Sequence, residues 1–231
     1  MTALSIIIPT LNEAAGIVRT LMALQPLRRR GSEVIVVDGG STDDTCALAA
    51  PLVDSVIKAP RERAKQMNVG TRYARGDMLL FLHADTRLPE TADSLLASEL
   101  ADARWVWGRF DVAIEGAHPL LKVVAWSMNR RSRFTGIATG DQAMFVRRHA
   151  FATVGGFPEI PLMEDVALSR NLKCLGRPLC LRERAVTSGR RWEQRGVLRT
   201  IFLMWRLRGS YWLGVDPTRL AQAYAAASRE R

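Results

Sequence analysis

Short strand-like runs alternate with helical patterns through residues 1–88, and this alternation limits the fold more than any other feature of the sequence. The runs lie at residues 5–8, 34–37, 54–58 and 78–82, and the second and fourth are apolar throughout. Between the first two, apolar side chains recur at helical spacing, as at Ile17, Leu21 and Leu24. Repeated β-α-β units with buried strands predict an α/β fold with a Rossmann-like, mostly parallel, doubly wound sheet.

Acidic residues follow three of these strands. The segment MLLFLHADTRLPE places Asp85 in a polar loop after a buried strand, Asp38 follows residues 34–37, and Glu13 follows the first strand beside Asn12. Ligands bind at the carboxyl edge of such sheets. For one such aspartate alone, an Asx-turn or a helix N-cap at a strand-to-helix junction is the favoured interpretation. The convergence of three acidic positions on one edge favours a binding site.

The remaining residues predict one domain with an elaborated carboxyl-terminal half. Residues 105–114 and 142–146 have strand composition, and residues 119–129 have one apolar helical face. No linker or internal repeat divides the chain. We therefore expect a single domain, residues 1–231, in three parts at 1–88, 89–185 and 186–231, the last made of basic aromatic helices.

Composition predicts a soluble cytoplasmic protein. The chain has 231 residues, of which 48% are hydrophobic and 24% charged, which is ordinary for a globular protein. Its longest apolar runs are far shorter than the ~20 residues that span a bilayer, and no secretory signal is evident. Cys46, Cys174 and Cys180 lack metal-ligand spacing, which favours reduced thiols.

The net charge of +10 predicts an anionic partner. Residues 182–208 contain eight arginines and two acids, interleaved with aromatic residues. This mixture favours a peripheral helix on anionic lipid at the inner face of the cell membrane over nucleic-acid binding, which we do not expect. A solvated basic face over a core stripe is the alternative. The membrane contacts would be Arg195, Arg199, Arg206 and Arg208, with Trp205 and Trp212.

Five ordered blocks resemble family 2 glycosyltransferases of the GT-A fold: SIIIPTLNE, EVIVVDGGSTDDT, QMNVGTRYARGDMLLFLHADTRLP, GDQAMFVRR and GGFPEIPLMEDVALSRNLKCLGRP. The resemblance covers roughly residues 4 to 180. The FLHADTRLP, IPLMED and SGRRW segments are similar to a subgroup of small soluble enzymes found beside radical-SAM and arsenosugar genes. The resemblance implies inverting transfer of a sugar from a nucleotide-diphosphate sugar to a hydroxyl acceptor, which the sequence does not identify.

The resemblance makes residues 1–88 the nucleotide-sugar-binding part and residues 89–185 the acceptor and catalytic part. It also implies roles for residues of the donor site. Pro9, Asn12, Glu13 and Asp38 would hold the nucleotide, and Arg63 would meet the diphosphate. The family's DxD motif holds a divalent cation, and here His83 replaces its first aspartate, which leaves Asp85 as the metal ligand. Mg²⁺ prefers oxygen ligands, whereas ligation by His83 would shift the preference toward Mn²⁺. The alternatives are that Asn12 caps a helix, Arg63 is a solvated helix residue and His83 only forms a hydrogen bond within its loop.

Glu164 and Asp165 match the family's ED motif, whose aspartate acts as general base. Their alternative role is to stabilise a helix N-terminus. The implied acceptor side comprises Gly140, Asp141, Gln142, Arg191 and Trp192. Ser188 stands where processive relatives have glutamine, so polymer synthesis is not expected.

Three other functions remain open. Transfer to a polyprenyl phosphate at the membrane would suit the basic aromatic segment. A nucleotidyltransferase could use the same sheet edge, but residues 9–13 lack its glycine-rich loop. A non-catalytic nucleotide-binding protein would result if His83 abolished metal binding.

Overall fold

The computed structural model describes residues 4–229. Its strands are β1 (Leu4–Thr10), β2 (Glu33–Asp38), β3 (Ser55–Lys58), β4 (Met78–Phe81), β5 (Thr86–Arg87), β6 (Trp107–Glu115), β7 (Phe145–Arg147) and β8 (Leu179–Ser188). Its α-helices are α1 (Ala14–Ala23), α2 (Gln25–Arg29), α3 (Thr45–Ala49), α4 (Arg63–Tyr73), α5 (Ala92–Glu99), α6 (Leu120–Thr135), α7 (Arg148–Thr153), α8 (Glu164–Lys173), α9 (Arg190–Arg195), α10 (Val197–Trp212) and α11 (Pro217–Arg229). Residues Ala50–Leu52 and Gly140–Gln142 form 3-10 turns.

The strands form one sheet in the order β3-β2-β1-β4-β7-β6-β8-β5. The first four pair in parallel, so β1, β2 and β4 end at the same edge. Strand β7 runs antiparallel to both β4 and β6, β8 runs parallel to β6, and β5 runs antiparallel to β8. The predicted α/β, mostly parallel and doubly wound sheet is confirmed for the first half, and the added half makes the sheet mixed.

Apolar side chains cover both faces of the sheet. Ile6 and Ile8 of β1 pack into one core layer, while Ile7 packs into the opposite layer. Helix α4 approaches the second face closely at Gly70, where a Cβ atom would lie 2.5 Å from Ile7 Cγ2. Only glycine permits this contact without displacement of the strand, so the helix lies tightly against the sheet.

The carboxyl-terminal helices pack near the edge where the parallel strands end. Leu207 of α10 and Leu220 of α11 share a buried cluster with Met163, which immediately precedes α8. Helices α10 and α11 therefore pack against the start of α8. Within residues 4–229, no helix is long and apolar enough to cross a membrane.

Three local expectations differ from the structure. The strand expected at 142–146 begins at Phe145, because Gly140–Gln142 form a turn closed by a capping box between Thr139 and Gln142. The helix expected at 119–129 extends to Thr135, where Gly136 ends it at φ 68°. Asn12 does not cap α1, because Glu13 occupies the cap position. The division at residues 88 and 185 stays a prediction.

Candidate active site

A cleft of about 540 Å³ opens at the carboxyl edge of the parallel strands. It brings together most of the residues predicted from the sequence: Pro9, Glu13, Arg63, His83, Asp85, Gly140, Asp141, Glu164, Asp165, Arg191 and Trp192. Asn12, Asp38 and Gln142 do not line it. The convergence follows from topology, since β1 and β4 are adjacent parallel strands and their following loops meet.

Asp38 is buried and bound to its own loop. Its carboxylate accepts hydrogen bonds of 2.9 Å from the backbone N–H groups of Gly40 and Ser41 and another from the Ser41 hydroxyl. Burial alone would raise the pKa of Asp38, but the bonds from Ser41 and Gly40 hold it below its ordinary value. Asn12 joins the same structure, because its Oδ1 accepts a 2.8 Å bond from Thr42 N–H. These two residues shape the loops beside the cleft.

Gln142 supports the turn formed by Gly140–Gln142 from beneath. Its side chain is fully buried, with Oε1 accepting from Thr139 N–H at 3.2 Å and Nε2 donating to Asn129 Oδ1 at 3.3 Å. The turn that Gln142 closes presents Gly140 and Asp141 to the cleft. Its position in the structure is therefore that of a supporting residue.

Glu13 and Asp85 form a pair of neighbouring carboxylates in the cleft. Burial raises the pKa of Glu13, and the negative charge of Asp85 raises it further. A cation bound between these side chains would remove that repulsion. Within the described residues, no group of three or more His, Cys, Asp or Glu is arranged to hold a metal ion. The donor set fits a hard divalent cation whose remaining ligands are phosphate oxygens and water.

His83 lies against two residues of the Gly140–Gln142 turn. Its Nδ1 lies 3.2 Å from Asp141 Oδ1, and its Nε2 lies against the Cα of Gly140 so closely that a side chain at Gly140 would collide with the ring. Burial would raise the pKa of Asp141, but the contact with His83 lowers it below its ordinary value. His83 does form a hydrogen bond, as the alternative proposed, but to a different loop.

Asp165 and Glu164 occupy the first turn of α8 in different surroundings. Asp165 Oδ2 accepts a 2.8 Å bond from Gly140 N–H, and its Oδ1 accepts a 2.7 Å bond from Val166 N–H. Burial and then the charge of Glu164 raise the pKa of Asp165 to about 6. Glu164 is buried and lies 3.5 Å from Arg63 Nη1. Arg63 thus has an acidic partner within the cleft, while its side chain is 43% exposed.

Arg191 and Trp192 reach the cleft from α9. Trp192 is half-buried and packs against the apolar cluster under β6 and α6. Arg191 and the neighbouring Arg190 act electrostatically on Glu13, and Arg190 Nη2 lies 3.9 Å from Glu13 Oε2. The helix therefore adds positive charge beside the carboxylate pair.

Sequence reasoning missed the part of the wall that α10 and α11 supply. Met204 and Arg208 of α10 and Tyr224 of α11 line the cleft, as does Arg195, whose Nη1 donates a 3.0 Å bond to Tyr224 Oη. Arg195 and Arg208 had been predicted to contact a membrane, and the structure instead turns both into the cleft. Arg61 and Gln66 also line it. The spacing of Met204 and Arg208, four residues apart, was the available signal for a cleft-facing side of α10.

The family follows from a direct match. Residues 5–154, about two thirds of the chain, match the model of Glycosyl transferase family 2. The chain belongs to glycosyl transferase family 2. A PGL/p-HBAD biosynthesis glycosyltransferase of Mycobacterium bovis is 33% identical over 173 residues, covering 66% of this chain and 62% of the relative. The chain therefore spans less than two thirds of the length of that relative.

Solved structures show the same fold. The mannosyltransferase PcManGT from Pyrobaculum calidifontis, in complex with GDP-Man and Mn²⁺, matches with a TM-score of 0.68 and 21% identity over 99% of this chain and 70% of its own. S. aureus TarS 1-349 with UDP-GlcNAc matches with a TM-score of 0.65 and 19% identity over 80% of this chain and 58% of its own. These likenesses confirm the predicted GT-A fold.

Proposed function

We propose that this protein is a metal-assisted, inverting glycosyltransferase that moves a sugar from a nucleotide-diphosphate sugar to a hydroxyl acceptor. The observation that carries the proposal is a single cleft lined by the Glu13 and Asp85 carboxylates and by Asp165, whose pKa is raised to about 6. TarS 1-349 is described with UDP-GlcNAc, PcManGT with GDP-Man and Mn²⁺, and the glucosyl-3-phosphoglycerate synthase of Mycobacterium tuberculosis with UDP and Mn²⁺. Donor use by this chain is proposed from that likeness and from its own cleft.

The donor half of the site would bind the nucleotide and the cation. Pro9 and Glu13 would border the nucleotide, while Asp38 and Asn12 would act by holding the adjoining loops. Asp85, with Glu13 beside it, would hold Mg²⁺ or Mn²⁺ together with the two donor phosphates. When bound, the cation neutralises charge that develops on the departing diphosphate. We propose Arg63 as the guanidinium nearest that charge, with Glu164 fixing its position.

The acceptor half would supply the proton acceptor. Asp165 takes the hydroxyl proton as the acceptor oxygen bonds to the anomeric carbon, and the nucleoside diphosphate leaves from the opposite face with the former bonding pair. A carboxylate with a pKa of about 6 is ionised at neutral pH and is a stronger base than an ordinary aspartate. The bond from Gly140 N–H aims one of its oxygens, and Glu164 is occupied by Arg63.

Placement in the small subgroup near radical-SAM and arsenosugar genes is a further proposal. It rests on the segments FLHADTRLP, IPLMED and SGRRW. Cytoplasmic location and the division of the single domain into three parts are proposed with it.

A second proposal is peripheral contact with anionic membrane through α10. Leu198, Phe202 and Trp205 recur at helical spacing and are each 59% to 67% exposed. Arg199 and Arg206 are exposed on the same helix, and Trp212 and Leu213 at its end are more exposed still. An exposed apolar stripe flanked by arginines is typical of a helix lying at a lipid interface. This surface would also suit the alternative acceptor, a polyprenyl phosphate.

Released nucleotide tests the proposed reaction. The full chain is incubated with UDP and GDP sugars, with Mn²⁺, Mg²⁺ or a chelator, and the products are separated. Metal-dependent release of nucleoside diphosphate supports glycosyl transfer or donor hydrolysis, whereas release of pyrophosphate would indicate nucleotidyl transfer. Binding of nucleotide without turnover of any donor, in the presence of either metal and an acceptor mixture, would favour the non-catalytic alternative.

A further inference from the structure

A second cavity lies between α6, α8 and α10 and has a volume of about 430 Å³. Four of its lining residues are basic and none is acidic. The lining comprises Arg131, Thr135, Ile137, Val166, Arg170, Lys173, Arg208, Tyr211 and Trp212. Because three separate helices supply the positive charges, the cavity concentrates them around one volume, where they would attract an anion.

Part of this positive charge is unpartnered within the described residues. The Nη2 atom of Arg131 is buried and has no hydrogen-bond partner there. No acidic side chain of residues 4–227 lies within ion-pair distance of Arg208. Lys173 Nζ donates one bond, of 2.7 Å, to Thr135 O and retains two further donors. A buried guanidinium nitrogen without a partner is costly, and arginine and lysine side chains bind oxyanions through charge-assisted hydrogen bonds.

The second cavity adjoins the first at the proposed base. Val166 and Arg208 line both cavities, and Val166 directly follows Asp165. The negative charges of Asp165 and Asp141 also act electrostatically on Arg131. A molecule whose hydroxyl group meets Asp165 could therefore extend past Val166 and place an anionic group among the four basic residues.

The other lining residues indicate which class of anion the cavity would bind. Tyr211, Trp212 and Ile137 give one side of the cavity an apolar and aromatic character. Three arginines and a lysine that can approach one group from several directions suit a tetrahedral phosphate, which carries more charge and more acceptor oxygens than a carboxylate.

We propose that this second cavity is an acceptor subsite that binds a non-reacting phosphate group of the hydroxyl acceptor. The proposal rests on the proposed glycosyl transfer and adds the acceptor's chemical class. The phosphate would belong either to a small soluble molecule or to a lipid headgroup, and the cavity chemistry is the same for both.

The test uses the paired substitution Arg170→Gln with Lys173→Gln, because both residues are exposed and line only the second cavity. The matched control is Arg182→Gln with Arg184→Gln, which removes the same charge from exposed positions of β8 outside both cavities. Inorganic phosphate is titrated calorimetrically into each full chain at constant ionic strength, with the donor site filled by UDP or GDP and Mn²⁺. We expect the paired variant to bind phosphate about tenfold more weakly, while the control and the nucleotide affinity of all three proteins are unchanged.

Equal phosphate affinity in the paired variant and the unmodified chain would overturn the proposal, even if the nucleotide binds. Failure of both nucleotides to bind would instead contradict the proposed function, and the phosphate titration would still decide the subsite. Two further arms identify the source by comparing the paired variant with the control. One uses glycerol 3-phosphate, and the other uses vesicles containing phosphatidic acid against neutral phosphatidylcholine vesicles. A selective loss in either arm supports the subsite, and no loss in both overturns it.

Discussion

At the scale of single residues, the balance of forces on Asp165 distinguishes it from its neighbour Glu164. Burial and the adjacent Glu164 charge favour a protonated Asp165, and the N–H groups of Gly140 and Val166 favour the carboxylate. The pKa of about 6 is the outcome of that opposition. The sequence identified both acids by their motif, but it could not rank their basicities, because the Gly140 contact joins segments 25 residues apart.

Asp165→Asn should separate catalysis from stability. The amide cannot take a proton, so transfer should fall by about 10²- to 10⁴-fold while donor binding persists. The folded protein should become more stable by about 1 kcal/mol, because the substitution removes a buried charge whose pKa is raised, although its NH₂ group cannot replace both accepting oxygens. Transfer assays with thermal unfolding check both effects. Glu164→Gln is the matched comparison, and it should lower stability because Arg63 loses its charged partner. Near-normal transfer by Asp165→Asn would remove Asp165 from the catalytic role.

Activity should fall as the pH drops below about 6. Asp165 must be ionised to accept a proton, so kcat/KM should lose about tenfold per pH unit below its folded pKa. The contribution of Asp165 to stability should change in the opposite direction and become more favourable as the pH falls. Since the folded pKa lies above the ordinary aspartate value of 3.8, ionised Asp165 destabilises the fold above pH 6, and this effect is relieved as the pH falls from about 6 toward 4. A pH series of kcat/KM tests the assignment, and the absence of the acidic limb in a stable protein would refute it.

Asp38→Ala should act first on the loop that follows β2. The substitution leaves the N–H groups of Gly40 and Ser41 without their carboxylate partner, so the free energy of unfolding should fall by about 1 to 3 kcal/mol. Nucleotide affinity should also fall, even without metal, because the loop borders the cleft. Chemical denaturation and calorimetry measure the two effects. Asp44→Ala, in the same loop region at an exposed position, is the control, and equal effects of both substitutions would exclude a special role for Asp38.

At the scale of elements, local pattern predicted the first half of the chain better than the second. Periodicity shows each parallel strand of the first half, and β1, β2 and β3 pair in chain order, although β4 returns to pair with β1 across more than 70 residues. In the second half, β7 inserts between β4 and β6, and β8 pairs with β6 across more than 60 residues, so no local pattern reports the order. Helix α10 illustrates the same difficulty, because its arginine content was evident but its cleft-facing side depends on packing against α11 and Met163.

The outward side of α10 should govern any lipid binding. Replacing Phe202 and Trp205 by serine removes exposed apolar surface without touching the cleft lining, so sedimentation with anionic vesicles at low salt should fall markedly. Turnover of a soluble acceptor should be unchanged. Replacing the exposed Val123 and Trp126 of α6 by serine gives a matched apolar loss on another helix. If the unmodified chain does not sediment with these vesicles, the membrane proposal is wrong.

At the scale of the whole molecule, the sequence predicts those site residues that the strand order of the sheet brings together. Glu13 and Asp85 follow adjacent parallel strands, so their proximity follows once the strand order is known. Asp38 follows the next strand, yet the tight turn at Gly40 draws its carboxylate away from the cleft. That outcome depends on a three-residue loop conformation, which strand periodicity does not encode. The wall from α10 and α11 depends on tertiary packing and was likewise not predictable.

Nucleotide and metal should stabilise this fold together more than either does alone. Asp85 and Glu13 repel each other, and the described residues offer no complete metal site, so Mn²⁺ needs the diphosphate oxygens to complete its ligands. A nucleoside diphosphate at ~100 times its Kd, with Mn²⁺, should raise the free energy of unfolding by about 2.7 kcal/mol, and a chelator should remove most of that gain. In Asp85→Asn the nucleotide alone should stabilise as in the unmodified chain, while the added effect of Mn²⁺ should disappear because a charged oxygen ligand is lost. His83→Asn serves as the comparison, since it tests the residue at the first position of the motif. If the effect of Mn²⁺ survives in Asp85→Asn and is lost in His83→Asn, the metal ligand is His83 and the assignment to Asp85 is wrong.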